Sequence, residues 1–173
     1  MPGQMTADDV REFLGLQAHP TCGFVAETYR SVERIAPRGL EAPFEAGRPL
    51  GSALYFLVTP DAPVRLHRIR NHQLYHRYLG DPLEVLLLYP DGTTGHEIVG
   101  PDLRHGHKLQ LPIPGNTFHT ARLVPRGNWF LGASTEWPGV EPPDVEIGDM
   151  AQLSELYPAA AQALRSFSPK AAP

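Results

Sequence analysis

The chain has one cysteine, Cys22, which excludes an internal disulfide and a disulfide-stapled scaffold. It has no apolar run near the roughly 20 residues that a membrane-spanning helix needs. Its first ten residues have neither the basic segment nor the apolar segment of a secretory signal. Basic residues are not in excess: 15 Lys and Arg face 19 Asp and Glu, for a formal net charge of −4. We therefore expect a cytoplasmic protein whose partner is a small molecule, not a nucleic acid or a membrane.

Proline and glycine are abundant, with 19 and 16 residues, which indicates many turns and argues against long helices. A short helix is predicted at residues 6–14, where Thr6 can act as the N-cap, and a helical segment interrupted by Pro158 is predicted at 150–167. Residues 137–149 read as an acidic loop. Alternating or continuous apolar runs predict strands at 24–31, 52–59, 64–69, 73–78, 83–89, 96–99, 109–113, 117–124 and 128–136. Many short strands with helices only at the ends predict an all-β antiparallel barrel or jelly roll, as one domain over residues 1–173.

The segment 64–83 is the richest in candidate functional residues, because three of the eight histidines lie within ten positions. Period two places Arg65, His67 and Ile69 on one face of the first strand of a hairpin, and Gln73, Tyr75 and Arg77 on one face of the second. In the strand at 24–31, the same period places Glu27 beside Tyr29. A histidine, an amide and an aromatic ring would then meet at the start of a small-molecule pocket.

The spacing of His67, Gln73 and Gly80, followed much later by Gly106 and by Pro114-Gly115-Asn116-Thr117-Phe118-His119, resembles the two-part signature of the cupin superfamily. A narrower resemblance, to the cupin-5 family (DUF985), covers nearly the whole chain. It implies a double-stranded β-helix barrel, usually a homodimer, similar to sugar epimerases. The blocks that carry it are GFVAETYRS (23–31), ALYFLV (53–58), HRIR (67–70), GDPL (80–83), LQLPIP (109–114) and WPGV with DVEI (137–147).

The resemblance implies a site for one divalent metal ion, Fe, Zn, Ni or Mn, held by His67, His119 and Gln73. The chain departs from the pattern at two ligand positions, since Ile69 replaces a histidine and Gln73 replaces the glutamate. Asn116 replaces the usual glycine of the second part. An amide carries no charge to offset a metal ion, so such a site would be weak. Without a metal, the two imidazoles could act directly as acid and base.

Further roles follow from residue chemistry, each with a structural alternative. Glu27 or His72 is a candidate proton shuttle, although Glu27 could form a salt bridge with Arg30 or Arg68 and His72 could be a turn residue. Tyr75 is a candidate wall or proton donor. The remaining candidates for substrate contacts are two arginines that could clamp an anion and two aromatic residues that could instead be core: Arg65, Arg77, Tyr55 and Phe118.

The leading interpretation is a cupin-fold enzyme, an isomerase, epimerase or lyase, that removes a proton next to a carbonyl in a small polar metabolite of specialised metabolism. Two alternatives remain open at this point. One is an oxygenase that depends on a redox metal such as iron, which needs at least two open coordination positions. The other is a barrel that binds a sugar or carboxylate without turnover.

Overall fold

A computed structural model describes residues 5–167. The predicted N-terminal helix is α1 (Ala7–Leu14). Thr6 caps it in a reciprocal capping box with Asp9, and Gly15 ends it in the left-handed conformation. Strand β1 (Gln17–Ala18) follows and begins the barrel. None of the helices in this described part of the chain is long and apolar enough to span a membrane.

The strands after β1 are β2 (Phe24–Arg30), β3 (Arg34–Ile35), β4 (Arg48–Pro49), β5 (Ser52–Val58), β6 (Val64–Ile69), β7 (His72–Gly80), β8 (Leu83–Leu88), β9 (Thr94–Val99), β10 (Gln110–Ile113), β11 (Phe118–Leu123), β12 (Phe130–Trp137) and β13 (Val145–Ile147). Two antiparallel sheets make up the barrel. The larger has the order β1-β2-β5-β12-β7-β10 and the smaller β13-β6-β11-β8-β9, while β3 and β4 form a separate ribbon. Chain neighbours often lie in different sheets, as in a jelly roll. The hairpin predicted for β6 and β7 is therefore wrong, because each of these strands pairs with distant strands of its own sheet.

The fold class and the helices at both ends of the sequence are confirmed. The C-terminal helical segment consists of α2 (Met150–Leu156), a 3₁₀ turn (Pro158–Ala160) and α3 (Ala161–Phe167), so the break at Pro158 is where the sequence predicts it. The acidic loop predicted at 137–149 is only partly a loop. It contains a 3₁₀ turn (Pro142–Asp144) and β13, which pairs with β6. The pairing depends on tertiary contacts, and the pattern of a three-residue segment is too short to predict it.

Three apolar clusters hold the layers together. The main cluster lies between the sheets and includes Phe56, Tyr75, Leu87 and Phe130, all almost completely buried. A second cluster joins α2 and α3 to the outer face of the smaller sheet, and a third joins α1 to the outer face of the larger one. Both helical ends therefore cover sheet faces that would otherwise expose apolar residues.

Three β-bulges change which residues face inward. In β2 the pairing jumps between Glu27 and Tyr29, and in β7 it jumps near Tyr78. In β6 the register slips between His67 and Val64, so that two residues of β6 oppose one residue of β11. The face assignments from strict period two are therefore wrong for Tyr29 in β2 and Arg65 in β6, because one extra residue reverses the alternation along the strand.

Candidate functional site

A cavity of about 520 Å³ opens between the two sheets. Its inner part is lined by side chains of β5, β6, β7 and β12, and its mouth by β2 and by residues 140–147. Such a concave, partly apolar pocket with a few polar groups is the usual form of a small-molecule site. The polar and ionisable lining residues of the inner part are Cys22, Ser52, His67, Gln73, Tyr75, Ser134 and Glu136.

His67 and His119 lie opposite each other on neighbouring strands, and their ring centroids are 4.3 Å apart. The structure thus brings together two residues that are 52 positions apart in the sequence. They are not equivalent. His67 lines the cavity, whereas His119 is completely buried and lies outside the cavity lining. A direct contact of His119 with a ligand is therefore not supported by its position.

Hydrogen bonds define the tautomer of each imidazole. Nδ1 of His67 lies 2.7 Å from the carbonyl oxygen of Arg65, and Nδ1 of His119 lies 3.3 Å from that of Thr117. A carbonyl oxygen can only accept, so each Nδ1 carries the proton and each Nε2 is an acceptor. The Tyr75 hydroxyl, 2.9 Å from Nε2 of His119, must therefore donate to it.

Burial keeps these groups uncharged. It lowers the pKa of His67 to about 4 and holds that of His119 well below its usual value, the second imidazole adding to the effect. Burial also holds the pKa of Tyr75 well above its usual value and raises that of Cys22 to about 11. The Cys22 thiol lies 4.0 Å from Nε2 of His67 and stays protonated at neutral pH, so it is no nucleophile there.

Glu136 is the main functional candidate that sequence reasoning missed. It is 3% exposed and lines the cavity, and its carboxylate accepts a hydrogen bond of 2.6 Å from the hydroxyl of Ser52. Burial raises its pKa, and the hydrogen bond from Ser52 offsets part of that effect. Its neighbour Gln73 is also buried and accepts a hydrogen bond of 3.3 Å from Ser134.

Two other predicted residues lie at the cavity wall or its mouth. Tyr75 contributes to the wall, as expected, but its hydroxyl is already engaged by His119. Glu27 lies at the mouth, where it forms the alternative that the sequence left open, an ion pair with Arg30. The bulge in β2 explains why Arg30, and not Tyr29, shares the side of Glu27.

Besides His119, five predicted residues lie outside the cavity. His72 is exposed and accepts a hydrogen bond from the backbone of Gly115. Phe118 packs in the cluster beneath the C-terminal helices, and Tyr55 packs edge-on against Tyr78 on the outer face of the larger sheet. The bulges in β6 and β7 lie beside the two arginines of the predicted anion clamp, which bond to backbone carbonyls elsewhere: Arg65 to that of Pro20, and Arg77 to those of Tyr78 and Gly80.

Comparison with known proteins agrees with this architecture. A family model described as Cupin_5, cupin superfamily (DUF985), matches residues 8–148. The chain belongs to the Cupin_5 family.

An uncharacterized protein of Saccharomyces cerevisiae is 28% identical to this Cupin_5 chain in an alignment of 131 residues that covers 71% of this chain and 65% of the yeast protein. The match thus spans less than two thirds of that relative. A hypothetical protein from Leishmania major has a similar structure, with a TM-score of 0.85 and 25% identity over 96% of this chain and all of the other. A protein from Shewanella oneidensis has a TM-score of 0.81 and 24% identity, over 96% and 99% of the two chains.

The donor groups of this Cupin_5 chain do not fit a conventional metal site. Within residues 5–167, no three side chains of histidine, cysteine, aspartate or glutamate cluster in a way that could hold a metal ion. Of the two imidazoles, His119 has its acceptor nitrogen bound to the Tyr75 hydroxyl. The third predicted ligand, Gln73, is a neutral amide, which is a weak ligand.

Proposed function

We propose that this Cupin_5 protein is an acid–base enzyme that removes a proton next to a carbonyl group of a small molecule and returns it elsewhere, as an isomerase or epimerase does. The observation that carries the proposal is the pairing of His67 with Glu136 in one cavity. The pKa of one is lowered by burial and that of the other is raised. Burial thus favours the neutral form of both groups, an imidazole that can accept a proton and a carboxyl that can donate one.

His67 is the proposed base. Its protonated Nδ1 is held by the carbonyl oxygen of Arg65, so the lone pair of Nε2 is available on the cavity side. With a pKa of about 4 it is neutral at pH 7 and a weak base. A weak base suffices for enolisation where hydrogen-bond donors stabilise the oxyanion that forms.

Glu136 and Gln73 are the proposed donors to that oxyanion. Ser52 bonds to one carboxyl oxygen of Glu136, and Ser134 bonds to the amide oxygen of Gln73. In the described part of the chain no protein acceptor takes the amide protons of Gln73, so they are available to a ligand. Once protonated, Glu136 donates a second hydrogen bond to the carbonyl oxygen, while His67 Nε2 accepts the proton from the adjacent carbon.

A second candidate function, a binding barrel without turnover, is favoured by a different observation. Much of the cavity wall is apolar, with Val25, Leu54, Phe56 and Val140 among the lining residues. Burial of apolar surface alone could hold a ligand there. The oxygenase alternative requires a redox metal, for which the donor set described above is not suited.

Deuterium exchange tests the proposed function directly. The protein is incubated in D₂O with a panel of uncharged ketones and α-hydroxy ketones, and loss of the proton next to the carbonyl is followed by NMR. We expect His67→Ala to slow the enzyme-dependent exchange by about 10²- to 10⁴-fold, as for loss of a general base. Glu136→Ala is expected to slow it by about 10²- to 10³-fold, as for loss of a donor to the oxyanion.

His72→Ala is the matched control, because it removes a neighbouring histidine that lies outside the cavity. It should retain the wild-type rate. Ligand-induced shifts in the NMR spectrum without exchange for any compound would contradict the enzyme and favour the binding barrel.

The homodimer and the cytoplasmic location also stay proposals. Exposed aromatic and apolar residues on or beside the outer face of the larger sheet, such as Tyr29, Val32 and Tyr78, support self-association. Light scattering of the purified protein would test the dimer.

A further inference from the structure

The polar groups of the cavity are mainly acceptors of hydrogen bonds. Nε2 of His67 presents a lone pair, since the proton is on Nδ1. The hydroxyl proton of Tyr75 is used by His119, so the tyrosine oxygen has only lone pairs left for a ligand. Glu136 adds carboxyl oxygens, which are acceptors unless the group is protonated, and Gln73 contributes the donor that does not depend on protonation. A ligand carboxylate or phosphate in contact with these groups would place its lone pairs against those of the protein, which is repulsive.

Positive charge at the cavity is already neutralised. Among the described lining residues, Arg30 is the one with a permanent positive charge, and it makes three hydrogen bonds to the carboxylate of Glu27 and one to the carbonyl of Val140. Glu136 and Glu141 also line the cavity, so acidic residues outnumber Arg30. His19, at the mouth, is kept neutral because burial lowers its pKa.

From these contacts we infer that the substrate of this site is an uncharged molecule with a largely apolar body and one polar end, and that anions are excluded. Calling the ligand a substrate rests on the proposed function, whereas the charge selectivity of the cavity is independent of turnover. It departs from the expectation of a carboxylate ligand, for which Arg65 and Arg77 are the candidate anion clamp. Both of those side chains bond elsewhere.

Cys22 allows the charge selectivity to be measured, because it is the single cysteine and lines the cavity beside His67. Iodoacetamide is uncharged and iodoacetate is an anion of nearly the same size. Both reagents attack the same thiolate, so the small thiolate fraction of this high-pKa thiol cancels in the ratio of their rates. The rates are followed by intact mass spectrometry at mildly alkaline pH.

We expect the ratio of the iodoacetamide rate to the iodoacetate rate to be about tenfold higher in the folded protein than in the same chain unfolded in guanidinium chloride. Glu27→Gln, an exposed substitution, should lower the ratio because it frees Arg30 to attract the anion. Glu136→Gln should lower it by removing an acidic group. The control is Cys22→Ser combined with Ala151→Cys, which puts the thiol on the exposed surface of α2 and should give a ratio near that of the unfolded chain.

An equal ratio in the folded and unfolded protein would overturn the inference, as would a raised ratio that neither glutamate substitution lowers. Failure of both reagents to modify the folded protein would overturn it too, since the cavity would then not admit even a small uncharged molecule. Strong selectivity for iodoacetamide without deuterium exchange would support an uncharged ligand and contradict the proposed enzyme activity.

Discussion

The ion pair between Arg48 and Asp144 is the contact whose loss we expect to affect the fold most. Arg48 donates from Nε and Nη2 to the two carboxylate oxygens of Asp144, at 2.9 and 2.7 Å, and the two side chains are 6% and 0% exposed. Asp144 also accepts from the backbone N–H of Glu141. The pair joins the ribbon of β3 and β4 to the 3₁₀ turn beside the cavity mouth.

Arg48→Met removes the cation and leaves a buried carboxylate without its partner. Breaking a buried pair in this way costs about 3–5 kcal/mol of unfolding free energy. For a chain of this size, about 2–4 °C of melting temperature per kcal/mol gives a decrease of about 6–20 °C. Urea unfolding followed by circular dichroism measures the first quantity and thermal unfolding the second.

Two matched variants sharpen this prediction. Asp144→Asn should cost less than Arg48→Met, because Arg48 keeps the carbonyl of Gly47 and a carboxylate oxygen of Glu141 at 3.9 Å. Glu146→Gln breaks an exposed pair with Arg68, 55% and 34% exposed, and should cost about 0–1 kcal/mol.

The effect of Arg48→Met should depend on pH in a definite direction. In the native protein burial raises the pKa of Asp144, but the hydrogen bonds from Arg48 and from the Glu141 amide outweigh burial and lower it. The stabilisation is therefore present above the unfolded pKa of about 3.9 and is lost as pH falls through the lower folded value. In Arg48→Met, burial dominates and raises the pKa of Asp144, so the carboxylate is protonated more readily in acid. The loss of unfolding free energy should therefore be smaller at pH 4 than at pH 7. A loss below about 1 kcal/mol at pH 7, or an equal loss at both pH values, would refute the reasoning.

Three further predictions concern the interior. Because the folded pKa of His67, about 4, lies below the unfolded 6.5, the unfolded chain binds more protons in mild acid, and this histidine should cost the protein about 2 kcal/mol between pH 7 and pH 5. NMR of its ring should show neutral imidazole throughout that range, and a midpoint near 6.5 would contradict the burial argument. Tyr75→Phe leaves Nε2 of His119 buried without a donor and should lower the unfolding free energy by about 1–3 kcal/mol in a urea titration. Leu87→Ala, at a fully buried position of β8, should cost about 2–5 kcal/mol by the same titration, and a cost below 1 kcal/mol would show that the core collapses around the change.

The sequence predicts the helices and strands of this fold better than it predicts which residues of each strand face inward. The strands β6 and β7 and the two helical ends are strong local patterns, and the structure confirms them. The predicted hairpin contact between these two strands is wrong, because β6 belongs to the smaller sheet and β7 to the larger. The bulges are set by pairing with distant strands, so Arg65 could not be placed from period two. The proximity of His67 and His119 was implied by the family resemblance and depends on a pairing across 52 residues.

Glu136, the acidic residue of the cavity, could not be identified from the local sequence pattern. Seven of the eight residues of β12 are buried or nearly so, because the strand lies in the middle of the larger sheet with α1 covering part of its outer face. A strand buried on both faces has no polar alternation, so nothing local says whether Ser134, Thr135 or Glu136 faces the cavity. A carboxylate inside an otherwise apolar strand was the one available signal.

The residues proposed for chemistry and those that surround the mouth belong to parts of the fold with different mechanical support. Paired strands, held in place by many backbone hydrogen bonds, carry His67, Gln73, Tyr75 and Glu136. The far side of the mouth includes one excursion of the chain, residues 138–144, which precedes the paired strand β13 and is anchored at Asp144 and by the hydrogen bond from Asn71 to the carbonyl of Pro138. Substitutions in that excursion can therefore reshape what enters the barrel while the reactive groups keep their geometry, which makes it the natural segment to vary when redesigning the ligand preference of this scaffold.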